Sequence, residues 1–116
     1  ELLLRAHRAM ISGVSPKRLF LDPGIGFSKT AEQSQRLMGQ LHIWRASGFQ
    51  SLAGPSRKSF MAPFLNNAEP NQRDLGTAGA AALCASAGVD VIRLHTGEKI
   101  WDAAKVAWGC TSTNLE

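Results

Sequence analysis

Three short stretches carry side chains that could do chemistry. They are LFLDPGIGFSK from Leu19 to Lys29, GPSRKSF from Gly54 to Phe60, and VDVIRLH from Val89 to His95. In the first, Leu19-Phe20-Leu21 reads as an apolar strand that delivers Asp22 at its C-terminal tip. Pro23 disfavours helical geometry at Asp22, so the carboxylate sits on an extended segment. Gly24 and Gly26 permit positive φ and let backbone come close to a ligand. A carboxylate at a strand end, followed by a glycine-rich loop, is how α/β enzymes build ligand sites. The alternative is a tight turn with a solvated Asp22.

The third stretch puts Val89, Val91, Arg93 and His95 on one face of a strand and Ile92 and Leu94 on the other, because side chains alternate with period two. An Arg in an apolar strand is expensive to bury unless it meets an anion. Arg93 beside His95 suits a phosphate or pyrophosphate, with the guanidinium giving paired hydrogen bonds. Equally, Arg93 could pair with an internal carboxylate such as Asp22, and His95 could cap the last helix. In the second stretch Lys58 follows a strand and precedes a helix start, where backbone amides can hold a carboxylate. Alone, that loop reads better as a solvated basic turn. All three groups of ligand-type residues fall at C-terminal strand ends, which lie on one face in parallel α/β folds.

The elements that must position these groups follow from periodicity and stop signals. Helices are expected over Glu1 to Ser12, with Leu2, Leu3, Ala6 and Met10 on one face, and over Ala31 to Ser47, with Leu37, Leu41 and Trp44 as the stripe. Thr30 can cap the latter. Strands are expected over Arg18 to Asp22, Phe49 to Gly54 and Val89 to His95. A short helix is expected over Phe60 to Leu65, an alanine-rich one over Arg73 to Ala87 and a last one over Lys99 to Trp108. Within the alanine-rich helix, Gly76 and Gly79 are expected to allow close packing against a sheet. The tail from Cys110 onward, CTSTNLE, is polar and expected to fray. Strands alternating with helices imply a parallel sheet with right-handed crossovers.

Composition narrows the class. The chain has 116 residues, 44% hydrophobic and 19% charged, which is globular and not disordered. A net charge of +4 favours anionic ligands. The basic residues form no run and no aromatic-interleaved patch, so no nucleic-acid partner is expected. No apolar run is long enough for a membrane span, and the first residues lack a signal-peptide pattern. Cys84 and Cys110 lack metal-ligand spacing and read as reduced thiols in a cytoplasmic protein.

LDPGIGF followed by Lys29, then GPSRKSF, then RLH before the last helix resembles the C-terminal half of dihydropteroate synthase. The match runs from Leu19 to about Trp108. The resemblance implies a (β/α)₈ barrel that condenses 6-hydroxymethyl-7,8-dihydropterin pyrophosphate with p-aminobenzoate, giving 7,8-dihydropteroate and pyrophosphate. It implies a folate-biosynthesis transferase, a sulfonamide target, a homodimer when full length, and Mg²⁺ as cofactor. Trp101 or Trp108 would lie at the dimer interface or pack on the sheet.

By that resemblance Asp22 accepts hydrogen bonds from the pterin amino group and ring N–H, and Lys58 donates to the ring acceptors. Gly26 and Phe27 line the site, with Phe27 against p-aminobenzoate. Ser59 and Arg57 lie near its carboxylate, and Arg93 with His95 holds the pyrophosphate. Two positions depart from the family pattern: Thr96 stands where Asp follows the His, and Ser28 where Gly is common. A barrel of this kind needs about 250 residues. The whole chain is therefore expected to be one partial barrel domain, with three strands corresponding to the sixth to eighth. The strand whose Asn helps hold Mg²⁺ is absent. A non-catalytic pterin-binding module and a pterin-binding methyltransferase are the alternatives; the SRKS loop argues against the latter.

Overall fold

In the computed structural model, which describes residues 1–112, three parallel strands form one sheet with helices on one side. The strands are β1 (Phe20–Leu21), β2 (Gln50–Ala53) and β3 (Val91–Ile92), in the order β1-β2-β3. Phe20 pairs with Gln50 and Leu21 with Ser51; Leu52 pairs with Val91 and Ala53 with Ile92. The helices are α1 (Leu2–Ile11), α2 (Ala31–Gly39), α3 (His42–Ala46), α4 (Asp74–Ser86) and α5 (Glu98–Ser112). Short 3₁₀ turns occupy Pro16–Arg18, Ser59–Phe64 and Pro70–Gln72.

Period-two alternation decides which side of the sheet is buried. Leu21, Ser51, Ala53 and Ile92 face the helices and are buried, while Phe20, Gln50 and Val91 are exposed on the other face. Arg93 and His95 follow Val91 onto the open side, and Leu94 follows Ile92 towards the core. Val89 departs from its expected face: it lies before the strand and packs partly buried against the core. A sheet that carries helices on one face and opens on the other is the portion of a (β/α)₈ barrel that three βα units provide. Three strands cannot close it.

The core sits between sheet and helices. Ile25, Leu41, Ala53, Ala81 and Cys84 are almost fully buried there. Burying side chains the size of Ile25 or Leu41 contributes roughly 1.5–3 kcal/mol each. Alanines in α4 let α5 approach closely, and Ile100 and Ala104 fill the seam. Gly76 has a different neighbour from the expected sheet. A Cβ there would come within 2.7 Å of a Leu65 methyl and 3.2 Å of the Met61 sulfur, so it seats the Ser59–Phe64 turn. Gly79 is exposed with open space around it.

Several element bounds differ from sequence expectation. The segment Ala31 to Ser47 breaks into α2 and α3 around Gln40, although the apolar stripe runs through the break. α2 starts on a capping box, in which Thr30 accepts from the Gln33 N–H and Gln33 accepts from the Thr30 N–H. On α1 only Ala6 is buried, and Leu3 remains 41% exposed. The strand expected to run to His95 is short because its partner ends at Gly54-Pro55. Proline has no N–H for the ladder. Ladder bonds on either side, Asp90 N–H to Ser51 and Arg93 N–H to Ala53, complete the pairing. Cys110, Thr111 and Ser112, expected in a frayed tail, continue α5. The remainder of that tail, 113–116, lies outside the described residues.

Candidate functional site

The chain leaves β1 into a loop that folds back on itself. Asp22 is exposed, and its Oδ1 accepts the Gly24 N–H at 2.8 Å. Gly24 and Gly26 both adopt positive φ, +72° and +83°. The Gly26 N–H donates to the buried Ser34 hydroxyl at 3.0 Å, which ties the loop to α2. Lys29 reaches back to donate to the carbonyls of Gly24 and Phe27, both at 3.0 Å. Ser28 stands in left-handed geometry at φ +49°, which explains why a glycine suits that position.

Lys58 crosses this loop from the end of β2. Its Nζ donates to the Ile25 carbonyl at 2.5 Å and lies 4.5 Å from the centre of the Phe27 ring. A Cβ on Gly26 would come within 2.9 Å of Lys58 Cδ, so the glycine is what lets the lysine pass. Burial pushes the Lys58 ammonium below the usual lysine range. Asp22 opposes that shift, and Arg93 and Lys29 add to it. Lys58 therefore senses charges from the ends of β1 and β3 and from the loop after β1. The Phe27 ring is 64% exposed, an apolar plate beside a half-buried cation.

Arg93 and His95 project from the end of β3 on the open side. No carboxylate among the described residues forms an ion pair with Arg93, so the pairing with Asp22 does not occur. Nor does His95 cap the last helix. Its backbone N–H donates to Ser56 Oγ at 3.1 Å, and its Nδ1 lies 2.8 Å from the same oxygen. Ser56 is buried, so this pair of contacts ties the His95 ring and backbone to the loop after β2.

Arg57 does not point to the open face. Its Nε and Nη2 donate to the Asp74 carboxylate on α4 at 2.9 and 3.2 Å. Ser59 is exposed at the first position of the 3₁₀ turn. Among the described residues no group of three or more His, Cys, Asp or Glu side chains could hold a metal ion.

The strand ends thus bring together Asp22, Gly26, Phe27, Lys58, Arg93 and His95, and turn Arg57 away. Ser56, Arg73, Asp74 and Thr77 were not singled out from sequence. Ser56 sits inside the second stretch and could have been found there. The other three act across the fold at no local spacing. Chemically the site offers one carboxylate acceptor, one desolvated ammonium, an aromatic plate and two donors for an anion. It holds no activated nucleophile. Cys84 is in the core, its thiol pushed up to about 12 by burial.

A family profile described as pterin binding enzyme matches residues 1–95. Dihydropteroate synthase of Synechocystis is 43% identical over 95 residues, covering 82% of this chain and 33% of the relative. The Mycobacterium leprae dihydropteroate synthase is 36% identical over 115 residues, covering 93% and 40%. Among solved structures, a dihydropteroate synthase from Coxiella burnetii in complex with pteroic acid superposes with a TM-score of 0.91 at 30% identity. It covers 97% of this chain and 41% of that one. The Xanthomonas albilineans enzyme in complex with 7,8-dihydropteroate gives 0.87 at 32% identity, covering 96% and 43%. The chain therefore spans about a third to two fifths of the length of the curated relatives described.

Proposed function

Because this chain belongs to the pterin binding enzyme family, we propose that it forms the pterin and pyrophosphate side of a dihydropteroate synthase. The reaction is the condensation of 6-hydroxymethyl-7,8-dihydropterin pyrophosphate with p-aminobenzoate, giving 7,8-dihydropteroate and pyrophosphate. The observation that carries this is the placement of Lys58. Its ammonium is held at the Ile25 carbonyl and over Phe27, within electrostatic reach of Asp22 and Arg93.

Asp22 accepts from the pterin amino group and ring N–H, a match of one carboxylate to two parallel donors. Lys58 donates to the ring acceptors on the other edge. Its ammonium is already partly desolvated, so it gives up little hydration when the flat ligand covers it. Arg93 and the His95 ring take the pyrophosphate. As the bond from the pterin methylene carbon to the pyrophosphate oxygen breaks, negative charge grows on the leaving group. Preorganised donors there stabilise the charge as it develops. The neutral amine of p-aminobenzoate attacks the methylene carbon, the new C–N bond forms, and the amine releases a proton. No protein nucleophile takes part.

Phe27 supplies an exposed aromatic face for the aminobenzoate ring, and the exposed Ser59, next to Lys58 in the chain, offers a hydroxyl from the neighbouring loop. Arg57 is left out of the substrate contacts, since Asp74 holds it. We assign Mg²⁺ to the part of the family's barrel beyond these residues. We propose a homodimer for the complete barrel, consistent with Trp101 and Trp108 being 38% and 48% exposed on α5. We also propose a cytoplasmic location, in keeping with the folate-synthesis reaction proposed here.

The test is transplantation. Residues 1–95 replace the matching third of the Synechocystis synthase, and incorporation of labelled p-aminobenzoate into dihydropteroate is measured. Activity that disappears with Lys58→Ala supports the proposal. A folded chimera that makes no product contradicts it.

A further inference from the structure

Arg57 has a left-handed backbone, φ +57°, that side-chain-bearing residues rarely adopt. It is gripped by residues from around the start of α4. The Thr77 hydroxyl accepts the Arg57 N–H at 2.9 Å. Arg73 Nη1 donates to the Arg57 carbonyl at 2.8 Å, while its Nε donates to the Ala68 carbonyl at the same distance. The Asp74 carboxylate takes two guanidinium N–H groups. Thr77 is fully buried, so its hydroxyl is fixed by packing. Both backbone groups and the side chain of one residue are thus captured from the same place.

The consequence falls on the next residue. The left-handed step at Arg57 turns the chain so that Lys58 leaves with extended backbone, φ −76° and ψ 152°. From there its side chain runs over Gly26 to the Ile25 carbonyl and the Phe27 ring. An ordinary right-handed or extended residue at position 57 would send Lys58 in another direction. We propose that Arg73, Asp74 and Thr77 are positioning residues for the pterin site. They hold Arg57 left-handed and thereby aim the Lys58 ammonium. None of the three touches the ligand. Only the identity of that ligand rests on the function proposed above; the aiming of Lys58 does not.

Two readouts separate the two claims. The first needs no ligand. With the side chain lying over Phe27, ring currents displace the Lys58 methylene protons upfield, and labelled-lysine NMR of the full chain reads that displacement. The second is calorimetric affinity for 6-hydroxymethyl-7,8-dihydropterin and, separately, for inorganic pyrophosphate. Thr77→Val removes the acceptor at nearly constant shape. Asp74→Asn removes the charge at a partly exposed position that leaves the core intact. Both are expected to move the Lys58 protons towards ordinary lysine values and to weaken dihydropterin binding about tenfold. Pyrophosphate affinity stays within about twofold. Thr77→Ser, which keeps the hydroxyl, restores both readouts. Unmoved Lys58 resonances in folded Asp74→Asn and Thr77→Val overturn the proposal. Movement of Lys58 in a chain whose unsubstituted form does not bind dihydropterin upholds the positioning and overturns the ligand instead.

Discussion

The two ends of the sheet handle backbone strain differently. Where helices return to the N-terminal ends of the strands, the left-handed residues are Gly13, Gly48 and Gly88, after α1, α3 and α4. Glycine adopts that geometry without a steric penalty, so these turns are cheap stops. At the C-terminal ends, Gly24 and Gly26 are joined by Ser28 and Arg57. A left-handed conformation costs such residues about 1–2 kcal/mol. There the fold supplies specific partners, with Lys29 holding the loop carbonyls and Thr77 and Arg73 holding Arg57. The strained end is the one that carries the proposed ligand site. Strain persists where surrounding groups over-determine it, and such places cluster at functional sites. Charge follows the same division. Asp22, Lys58 and Arg93 meet at the strained end, whereas the packed layer of α4 and α5 is filled by alanine, Ile100 and Cys84.

The largest expected effect breaks the strained end outright. Lys58→Ala removes a charged donor worth about 1.5–3 kcal/mol, which is roughly a 10- to 150-fold loss of dihydropterin affinity. Calorimetry on a chain with unchanged circular dichroism checks it, and unchanged affinity would remove Lys58 from the site. Next comes a matched pair of glycine substitutions. Gly26→Ala and Gly48→Ala each place a Cβ on a left-handed residue, at an expected cost of about 1–2 kcal/mol. Only at Gly26 does the Cβ meet Lys58, while nothing lies within 4 Å at Gly48. Both should lower the denaturation midpoint similarly, and only Gly26→Ala should weaken pterin binding. Equal affinity losses would erase the contrast between the two ends.

Smaller effects sharpen the same contrast. Ser28→Gly should stabilise the chain by about 0.5–1 kcal/mol, because it relieves the left-handed serine at some entropic cost. A urea melt with a lower midpoint would sink that expectation. The smallest effect is an acid one. The hydrogen bond from Arg57 holds the Asp74 carboxyl below the usual range, against an opposing contribution from burial. A folded-state value below the unfolded one, about 3.9, means the pair stabilises fully above that pH. Its contribution is lost as pH falls through the lower folded value. Asp74→Asn should therefore flatten the stability profile below about pH 4 and leave its shape near neutrality unchanged. A profile of unchanged slope would show that the pair is not formed in solution.

What could be read in the sequence follows from how local each signal was. Asp22 was legible because strand, proline and glycine stand side by side. The parallel order was legible because helix and strand periods alternate. The break at Gln40 was hidden, since Leu37, Leu41 and Trp44 keep helical spacing across it. The short third strand was hidden too. Its seven apolar-patterned residues look complete, but pairing needs a partner, and β2 ends at a proline. Arg57 shows the sharpest limit. In its motif it looks like a ligand cation, and only a contact with Asp74, seventeen residues on, turns it away. Ser56 was within reach: a serine two residues before a lysine loop could have been asked what it holds. That it holds His95 required the register of β2 against β3.

The central claim is that the strand ends form a pterin and pyrophosphate site within this chain. The most direct measurement is calorimetric titration of the chain with 6-hydroxymethyl-7,8-dihydropterin and with pyrophosphate, repeated on Asp22→Asn. Both ligands are expected to bind, with Asp22→Asn abolishing pterin binding and leaving pyrophosphate binding intact. A well-folded chain that binds neither, or an Asp22→Asn variant that binds pterin as before, would contradict the claim.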